Sequence, residues 1–503
     1  MNKYERIVLV YDCGSTNIRV AAVNECGEIV SQKNIHNSAK SQPGGKPGWM
    51  IWDVEEIWRK LCILTREVLQ IIDKRKLCSL IVTTWGADGV LIKENGELAY
   101  PTISWQCSRT LDVINEVTDQ IDPYEIFKMT GYQIIPFNTL FKWIWMRKYA
   151  PEAFRTAYTF LMMPAYFSFK LTGEMHVEPT DASTTMAVDS AKRKWSPEML
   201  ALAELDESFF PEWKEPGDVA GYVTEDAGEE TGLPKGLPVI VGGHDTQFAI
   251  ALPRSSWDEA ILSSGTWEIL AVRTKYYQPT KEAFENGVVI ELDVEKNLWN
   301  PQFLMIASAV LEWIRKMLFS EVSDKPYEVM VNEALKINPG CDNIIFLPSF
   351  FPRSGPTAKY NVPGGLLGLN LSVTRAHIYR AALEGLSCQL RLAIELMEES
   401  FNIRLDRLWV VGGGSKNELW NRIRSDVLHR KIIVSKFTEA TVLGAALTAL
   451  KGIGLYGSLD EAKSSLDYQE KIYTPLIQNS EIYEKAYREF INLYEKLSFA
   501  YSK

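Results

Sequence analysis

Asp245 is the residue with the clearest chemical potential, because it follows an apolar segment that ends in two glycines. The segment 239–243 is rich in β-branched residues and is typical of a buried strand. Its glycines would let the backbone turn sharply and approach a ligand. A carboxylate at such a strand end can accept a proton from a substrate hydroxyl. An acid here can equally cap a following helix, which is the commoner role of an isolated acid.

Two polar turns between predicted strands have the composition of phosphate-binding loops. The first phosphate turn, 12–17 (DCGSTN), separates strands 7–11 and 18–23, and the second phosphate turn, 263–266 (SSGT), separates two further strands. Their small residues offer backbone N–H groups and hydroxyls to a phosphate, and Asp12 could hold Mg²⁺ through water. An ordinary hairpin can have the same composition. The two similar turns indicate a degenerate internal duplication, with one phosphate-binding hairpin per domain.

A triple glycine opens the glycine loop, 412–417 (GGGSKN), between a predicted strand at 408–411 and a predicted helix at 418–428. Bare backbone would let a nucleotide lie flat, and the helix N-terminus carries partial positive charge that favours phosphate. The loop is neither a GxxxxGK[ST] phosphate loop nor a GxGxxG dinucleotide fingerprint. We interpret it as a nucleotide contact of another kind.

A second acid, Asp88, follows another predicted strand at 80–84 within the sequence WGADG. Ligands of open α/β sheets bind at the carboxyl ends of strands. A polyol pocket needs carboxylates and amides for hydroxyls, and an aromatic plane for the apolar face of the sugar. Trp85, Trp105 and Arg109 supply such groups nearby in the sequence. Tryptophans are equally often ordinary core residues.

Composition excludes several function classes. The chain has 503 residues, which favours two domains, and a net charge of −10 without a strongly basic run, which argues against nucleic acid as a partner. No apolar stretch approaches the roughly 18 residues that span a bilayer. The seven cysteines form no CxxC pair, which favours a reduced, cytoplasmic compartment. The five histidines lack the spacing of a structural zinc site.

Hydrophobic periodicity predicts the helices that position these motifs. Asp53 is expected to cap a helix whose buried positions are Val54, Ile57, Trp58, Leu61, Leu64 and Val68. Further helices are predicted over 122–172, 371–400, 440–446 and 482–499. We expect an N-terminal domain at 1–250, a C-terminal domain at 251–455 and a helical extension at 456–503, with a hinge near 249–259.

Five motifs in order, DCGSTN, GGHDTQ, LSSGTWEIL, VVGGGSKNELWN and EATVLGAAL, together resemble the FGGY family of carbohydrate kinases. The resemblance extends from Ile7 to about Gly454. It implies an α/β fold of two actin-like, ribonuclease H-like domains, each built on a mixed five-stranded sheet and closing over a central cleft. It also implies ATP and Mg²⁺, a small ketose as substrate, and assembly as a homodimer or homotetramer. The lack of a long apolar stretch separately predicts no membrane as a partner.

The resemblance implies a role for each motif residue. Asp245 would be the catalytic base, and Asp12 would help to place Mg²⁺. The expected phosphate and nucleotide contacts are Gly14, Ser15, Thr16, Gly265, Thr266, Gly412, Gly413, Gly414 and Asn417, the last near adenine. The expected sugar contacts are Asp88, Trp85, Gly86, Trp105, Arg109 and Gln247.

Within the family, the segments TWGADG, PTISWQCSRT, GHDTQFA and SSGTWEIL are most similar to kinases of 6-deoxy-ketoses, those of L-fuculose first and of L-rhamnulose second. Cys107 stands where many members carry a carboxylate, which argues against glycerol or xylulose. Other ketoses of the ribulose and xylulose type remain alternatives. A sugar sensor that does not phosphorylate, or an actin-like ATPase, is the alternative from another functional class.

Overall fold

The computed structural model describes residues 5–351 and 355–501 of the chain. Strands of the first half are β1 (Ile7–Cys13), β2 (Asn17–Asn24), β3 (Ile29–His36), β4 (Lys40–Ser41), β5 (Met50–Trp52), β6 (Leu77–Thr84), β7 (Gly89–Ile92), β8 (Thr102–Ile103), β9 (Thr159–Met162), β10 (Val188–Asp189), β11 (Lys194–Trp195), β12 (Val219–Tyr222) and β13 (Pro238–His244). Its helices are α1 (Val54–Leu69), α2 (Ile114–Thr118), α3 (Pro123–Thr130), α4 (Thr139–Tyr149), α5 (Pro151–Thr156), α6 (Met163–Thr172), α7 (Pro179–Ser183), α8 (Pro197–Ala201), α9 (Glu225–Thr231) and α10 (Asp245–Ala251).

The second half continues the alternation of strands and helices. Its strands are β14 (Glu259–Ser264), β15 (Trp267–Ala271), β16 (Val289–Leu292), β17 (Trp299–Ile306), β18 (Ile345–Leu347), β19 (Gly365–Leu367), β20 (Arg407–Val411), β21 (Lys431–Val434) and β22 (Lys471–Tyr473). Its helices are α11 (Lys281–Glu285), α12 (Ser308–Leu318), α13 (Pro326–Ala334), α14 (Arg375–Phe401), α15 (Glu418–Leu428), α16 (Ala440–Gly452), α17 (Leu459–Ser464) and α18 (Ile477–Tyr501).

The two large sheets repeat one strand arrangement. The described part of the first half forms a sheet with the order β12-β13-β6-β1-β2-β3, and that of the second half forms β16-β17-β15-β14-β20-β21-β22. In each, a strand pairs antiparallel with the next along the chain and parallel with a later one, as β1 does with β2 and β6 and β14 does with β15 and β20. The inner order β3-β2-β1-β6-β13 thus matches β17-β15-β14-β20-β21, which supports the duplication suggested by the two phosphate turns.

The expectation of five strands per sheet is corrected, because the sheets have six and seven strands. The added strands are β12 at one edge of the first sheet and β16 and β22 at the two edges of the second. Each pairs antiparallel with the strand it covers, and so satisfies backbone groups that an open edge would expose. Strand β22 also means that the extension expected to be helical is partly strand.

Helices α10 and α16 lie between the two sheets and join them into one core. Apolar side chains of β1, β6 and β13 form a single buried cluster with those of β14, β20 and both helices. The crossing of the two helices is close, because a Cβ at Gly444 would overlap the carbonyl oxygen of Phe248. The small residues of the predicted helix 440–446 therefore serve the close packing that the sequence indicated.

Most local predictions are confirmed. Asp53 caps α1 by accepting a hydrogen bond from the Glu56 backbone N–H, and the six apolar positions expected to face the core are buried. The prediction of continuous helix over 122–172 is wrong, because β9 interrupts it and pairs with β7. Within the described residues, no helix is long and apolar enough to cross a membrane.

Candidate active site

Three neighbouring parallel strands of the first sheet, β1, β6 and β13, end at the same edge. In their register Asp12 lies opposite Thr83, and Thr83 lies opposite Gly243. The carboxyl ends of parallel strands are where open α/β sheets bind ligands. The sheet therefore brings Asp12, the segment 85–89 and Asp245 to one edge, as the sequence motifs required.

Close packing makes both glycines before Asp245 necessary. A Cβ at Gly242 would overlap the carbonyl oxygen of Val82 on the neighbouring strand. Gly243 has a φ of +151°, which L side chains rarely adopt, and a Cβ there would come within 2.6 Å of Glu178 Oε2. A side chain at either position would push β13 from its neighbours and displace Asp245, which is the first residue of α10.

The carboxylate of Asp245 is accessible and has few protein partners. Its side chain is 26% exposed, and His244 Nε2 lies 3.5 Å from Oδ1. Thr246 donates a hydrogen bond to the same oxygen at 3.2 Å. Burial raises the pKa of Asp245 above its ordinary value of 3.8, and the charge of His244 partly offsets that rise. A reachable carboxylate with a raised pKa suits the role of a proton acceptor.

The ring of His244 links Asp245 to the second domain. Its Nδ1 lies 3.0 Å from Oε2 of Glu291 on β16, and its backbone N–H donates to Thr180 Oγ1. Burial alone would lower the pKa of His244, but Glu291, Asp245 and Asp181 more than offset this and raise it to about 10. The raised pKa favours the protonated ring at neutral pH, and carboxylates lie on both sides of it.

The first phosphate turn is shorter than expected, because Asp12 and Cys13 belong to β1. The Gly14 N–H donates to the carbonyl of Asn17 at 2.8 Å, which closes a tight hairpin. The side chain of Asn37 donates to the Gly14 carbonyl at 3.1 Å. Ser15 is half-buried and Thr16 is exposed, so the tip of the turn is open to a phosphate.

Asp12 fits the place of a Mg²⁺ ligand. Its side chain is 17% exposed and lies 3.9 Å from Arg19 Nε. Burial is the largest influence and raises the pKa of Asp12, Arg19 lowers it, and Asp245 raises it; together they place the pKa at about 7. A divalent cation would offset this concentration of negative charge. The described residues contain no cluster of three or more His, Cys, Asp or Glu side chains able to bind a metal. Mg²⁺ accepts water and phosphate oxygens as ligands beside a single carboxylate, so a role for Asp12 in placing the ion stays a prediction.

The second phosphate turn is equally open. Gly265 and Thr266 are exposed, and the Gly265 N–H donates to the carbonyl of Trp267 at 2.9 Å. The adjacent Ser264 is buried and donates to Glu268 Oε1 at 2.8 Å. Hydrogen bonds thus hold the residues at the start of the turn, while Gly265 and Thr266 at its tip are exposed, as at the first phosphate turn.

The glycine loop packs against the base of the second phosphate turn. Gly412 has a φ of +84°, and a Cβ there would come within 2.8 Å of the carbonyl oxygen of Ser264. A Cβ at Gly414 would overlap the hydroxyl of Ser264, whereas a Cβ at Gly413 would have no atom within 4 Å. The loop is therefore anchored at both flanking glycines and presents bare backbone at Gly413.

Asn417 has a structural role at the end of this loop. Its side chain caps α15 by accepting from the Trp420 N–H at 3.0 Å and donates to the hydroxyl of Tyr379 at 3.1 Å. The cap orients the helix N-terminus behind the glycine loop. Proximity of Asn417 to adenine stays a prediction.

A chain of charged side chains connects the loops. Arg19, behind the first phosphate turn, is paired with Glu439 at the N-terminus of α16. Glu439 also lies 3.8 Å from Lys416 Nζ in the glycine loop. Thr441 on the same helix donates to the backbone carbonyl of Asp245 at 3.3 Å. The start of α16 thus joins the first phosphate turn, the glycine loop and the acid at one place.

The segment 85–88 forms a rigid wall beside Asp245. A Cβ at Gly86 would come within 3.1 Å of His244 Nε2, so Gly86 lies directly against the imidazole ring next to Asp245. Ala87 adopts a φ of +67°, which is uncommon for a residue with a side chain. Its backbone N–H donates to Thr184 Oγ1 at 2.7 Å, and its carbonyl accepts from Thr139 Oγ1 at 2.9 Å.

Asp88 holds this wall from behind. It is fully buried, and its Oδ2 accepts from the indole N–H groups of Trp52 and Trp85 at 2.6 and 2.8 Å. The backbone N–H of Trp105 donates to the same oxygen at 3.1 Å, and Lys142 pairs with Oδ1. With all of these partners in place, a sugar contact of Asp88 would require one of them to leave.

Arg109 and Gln247, two other expected sugar contacts, are also engaged. Arg109 is buried, and its guanidinium lies 4.4 and 4.9 Å from the ring centres of Trp49 and Trp145. Gln247 is buried and bonds through both ends of its amide to Glu291 and Asn300 in the second domain. Of the expected aromatic contacts, Trp105 is half-buried, whereas Trp85 is buried against Trp52.

Both halves of the chain match models of one protein family. Residues 7–251 match the N-terminal domain of the FGGY family of carbohydrate kinases, and residues 260–453 match its C-terminal domain. The chain belongs to the FGGY family of carbohydrate kinases. It is therefore a phosphotransferase that acts on a carbohydrate.

Relatives of this FGGY kinase include L-fuculokinases. It is 34% identical over 471 residues to the L-fuculokinase of Escherichia coli (strain K12), covering 94% of this chain and 98% of the relative. The L-fuculokinase of Haemophilus influenzae is also 34% identical, over 93% of this chain and 99% of the relative. The xylulose kinase of Lactococcus lactis is 24% identical, over 98% of this chain and 97% of the relative.

Solved structures confirm the fold of this FGGY kinase. The xylulose kinase of Rhodospirillum rubrum superposes with a TM-score of 0.86 at 23% identity, covering 99% of this chain and all of the other. The gluconate kinase of Lactobacillus acidophilus has a TM-score of 0.87 at 19% identity, covering 99% of each chain. The expected architecture of two actin-like α/β domains is therefore confirmed.

Sequence reasoning missed three charged groups of this kinase's site: His244, Lys142 and Glu291. A signal existed for two of them. Lys142 stands in the aromatic helix segment TLFKWIWM, and Glu291 stands in the apolar strand segment VVIELDV. A charge inside an otherwise buried segment needs a buried partner, although the sequence does not say which one.

Proposed function

We propose that this FGGY kinase transfers the γ-phosphoryl group of ATP to the 1-hydroxyl of L-fuculose, giving L-fuculose 1-phosphate and ADP. The observation that carries the proposal is the 34% identity to L-fuculokinases over nearly the whole of both chains. Identity to a xylulose kinase over a similar length is 24%. The sequence TWGADG and Cys107, both in the sugar half of the chain, support the same choice.

Asp245 is the base in this proposal. Phosphoryl transfer depends on positioning and charge stabilisation more than on covalent chemistry. The proton of the sugar hydroxyl passes to Asp245 while the hydroxyl oxygen bonds to the γ-phosphorus, and the bond from that phosphorus to the β-phosphate oxygen breaks to release ADP. The accessible carboxylate and its position past β13 support this role.

The two phosphate turns hold the phosphates from opposite domains. Gly14, Ser15 and Thr16 offer backbone N–H groups and hydroxyls from the first, and Gly265 and Thr266 do so from the second. Asp12 would hold Mg²⁺, which would supply positive charge to offset that of the ATP phosphates. The open tips of both turns in the structure support this assignment.

The nucleotide lies on the glycine loop, and the sugar lies beside the 85–88 wall. Gly412, Gly413 and Gly414 provide the bare backbone, with Gly413 the most open of the three, and Asn417 orients the helix behind them. On the sugar side, Gly86 and Trp105 line the pocket. Trp85, Asp88 and Arg109 fix its walls through the buried contacts described above, and Gln247 contacts the sugar only after releasing one of its partners.

The cleft closes over the bound substrates in this proposal, because water admitted beside ATP would be phosphorylated in place of the sugar. We assign the hinge to 249–259, where α10 ends and the chain enters the second domain at β14. The interdomain contacts of α10 with α16 support a pivot at this place.

Initial rates of ADP release from Mg-ATP test the proposal, with L-fuculose, L-rhamnulose, D-ribulose, L-ribulose, D-xylulose and glycerol as acceptors. We expect the highest kcat/KM with L-fuculose. A clear preference for another ketose would overturn the substrate and keep the kinase mechanism. ATP consumption that is independent of every acceptor would instead favour an actin-like ATPase. Binding of sugar, measured by calorimetry, without ADP release would favour a sensor.

A further inference from the structure

Glu291 is a buried carboxylate of the second domain with three hydrogen-bond partners on the first domain. It is 1% exposed. It pairs with Nδ1 of His244 at 3.0 Å, accepts from the amide of Gln247 and accepts from the hydroxyl of Tyr132. Three donors from the first domain therefore meet one acceptor of the second.

The neighbouring strand completes this interdomain joint. Asn300 on β17 lies directly opposite Glu291 on β16 in the antiparallel register. Its side chain donates to the amide oxygen of Gln247, whose nitrogen donates to Glu291. His244 comes directly before Asp245, and Gln247 lies two residues after it. The second domain therefore forms hydrogen bonds on both sides of Asp245.

We propose that Glu291 is a positioning residue for phosphoryl transfer, and that it acts through His244. Its carboxylate fixes the orientation of the imidazole, so that Nε2 points to Asp245 at 3.5 Å. The proposal rests on the proposed role of Asp245 as the base. The acid is then held for catalysis only while the second domain occupies its place against the first, which couples proton acceptance to domain position.

The charges around His244 give this arrangement a measurable signature. The ring faces Glu291 and Asp245 directly, and the buried carboxyl groups Glu178 and Asp181 lie behind it on α7 and its cap. Loss of Glu291 removes the largest influence that raises the pKa of His244. The imidazolium would then lose its proton nearer to neutral pH, and the electrostatic support of Asp245 would be lost with it.

Glu291→Gln tests the proposal, because the amide keeps the size of the side chain and removes its charge. We expect kcat to fall roughly 10- to 100-fold, as for a misplaced catalytic group, with the KM for ATP changed less than about twofold. The fall should deepen as pH rises past neutrality. Asp293→Asn is the matched control, since Asp293 is buried two residues away and pairs with Arg273 outside the site. It should lose stability and keep kcat.

A double-mutant cycle with His244→Gln separates positioning from general damage. If Glu291 acts through His244, adding Glu291→Gln to His244→Gln lowers kcat by less than about twofold. Independent, multiplying losses would overturn the proposal, and so would unchanged kcat and pH profile in Glu291→Gln alone. If Glu291→Gln does not fold, His244→Gln still tests the link from His244 to Asp245 that the proposal requires, because loss of the ring charge should move the acidic limb of kcat/KM to higher pH. An unmoved limb overturns the proposal.

Asp245→Asn distinguishes an error in the base role of Asp245 from an error in the positioning role of Glu291. If that variant keeps wild-type turnover, the proposed base itself is wrong. If it is inactive while Glu291→Gln and His244→Gln behave as wild type, only the positioning role of Glu291 is wrong.

Discussion

The ammonium group of Lys142 pairs with the carboxylate of Asp88 inside the first domain, where both side chains are almost completely shielded from solvent. The same carboxylate accepts from two indole N–H groups. Charge in the interior is tolerated when it is paired and fully hydrogen-bonded. The pair therefore fixes the 85–88 wall that lies beside Asp245. Removing either partner would leave the other charge buried without its counterion.

Asp88→Ala should destabilise the protein by about 3–5 kcal/mol, because it leaves the charge of Lys142 buried and unpaired. Chemical denaturation of wild type and variant measures this difference. The double variant Asp88→Ala with Lys142→Met should recover part of the loss, since no unpaired charge remains. In the surviving folded fraction the KM for sugar should rise far more than that for ATP. Equal changes in both constants would mean that Asp88 supports the fold as a whole.

Asp245→Asn should fold normally and lose turnover by about 10²- to 10⁴-fold, the range for a removed general base. Normal folding is expected because the side chain is partly exposed and accepts one hydrogen bond from a neighbouring hydroxyl. Initial-rate kinetics and thermal unfolding measure the two properties. Asp119→Asn, at an exposed position of the same domain, controls for loss of one negative charge. Wild-type turnover in Asp245→Asn contradicts the base assignment.

The pH dependence of kcat/KM should have an acidic limb above the ordinary pKa of an aspartate. The ionised carboxylate is the active form, and burial raises the pKa of Asp245 from 3.8. Activity is therefore lost as pH falls through a higher value than for a free aspartate. Rates between about pH 4.5 and 8 locate the limb, with circular dichroism showing that the protein stays folded. Full activity down to the lowest pH would exclude a raised pKa.

Gly413→Ala should leave stability unchanged and raise the KM for ATP by about tenfold, equivalent to about 1.4 kcal/mol. The new methyl group meets no protein atom but occupies the surface on which the nucleotide is proposed to lie. Gly414→Ala is the comparison, because its methyl group would collide with Ser264 and should lower the unfolding temperature. An unchanged KM for ATP in Gly413→Ala would move the nucleotide away from this loop.

Sequence predicted the frame of this site because the relevant patterns are local. The alternation before and after the first phosphate turn, the glycines before Asp245 and the boundaries of α15 all depend on neighbouring residues, and the structure confirms them. Strand β9 was missed since its apolar residues continue a helical pattern on both sides, and only pairing with β7, far away in sequence, makes them extended.

The electrostatics of the site could not be predicted in the same way. Glu291 lies 47 positions from His244, and Lys142 lies 54 positions from Asp88. The packing of whole helices and strands determines which groups become partners. A charged residue in an apolar segment therefore indicates that a partner exists but does not identify it. The expected sugar contacts Asp88, Arg109 and Gln247 illustrate the limit, since their polar groups are occupied by partners that no spacing rule reveals.

The position of α16 between the sheets also has a consequence for protein synthesis. Val8, Val10, Ile81 and Ile240 of the first sheet lie in one buried cluster with apolar side chains of α16. About 200 residues separate the last of these strands from that helix, which a ribosome needs about 10–40 s to translate. During that interval the nascent first domain exposes the apolar surface that α16 later covers. Slower translation or a C-terminal truncation before α16 should therefore increase aggregation and dependence on chaperones.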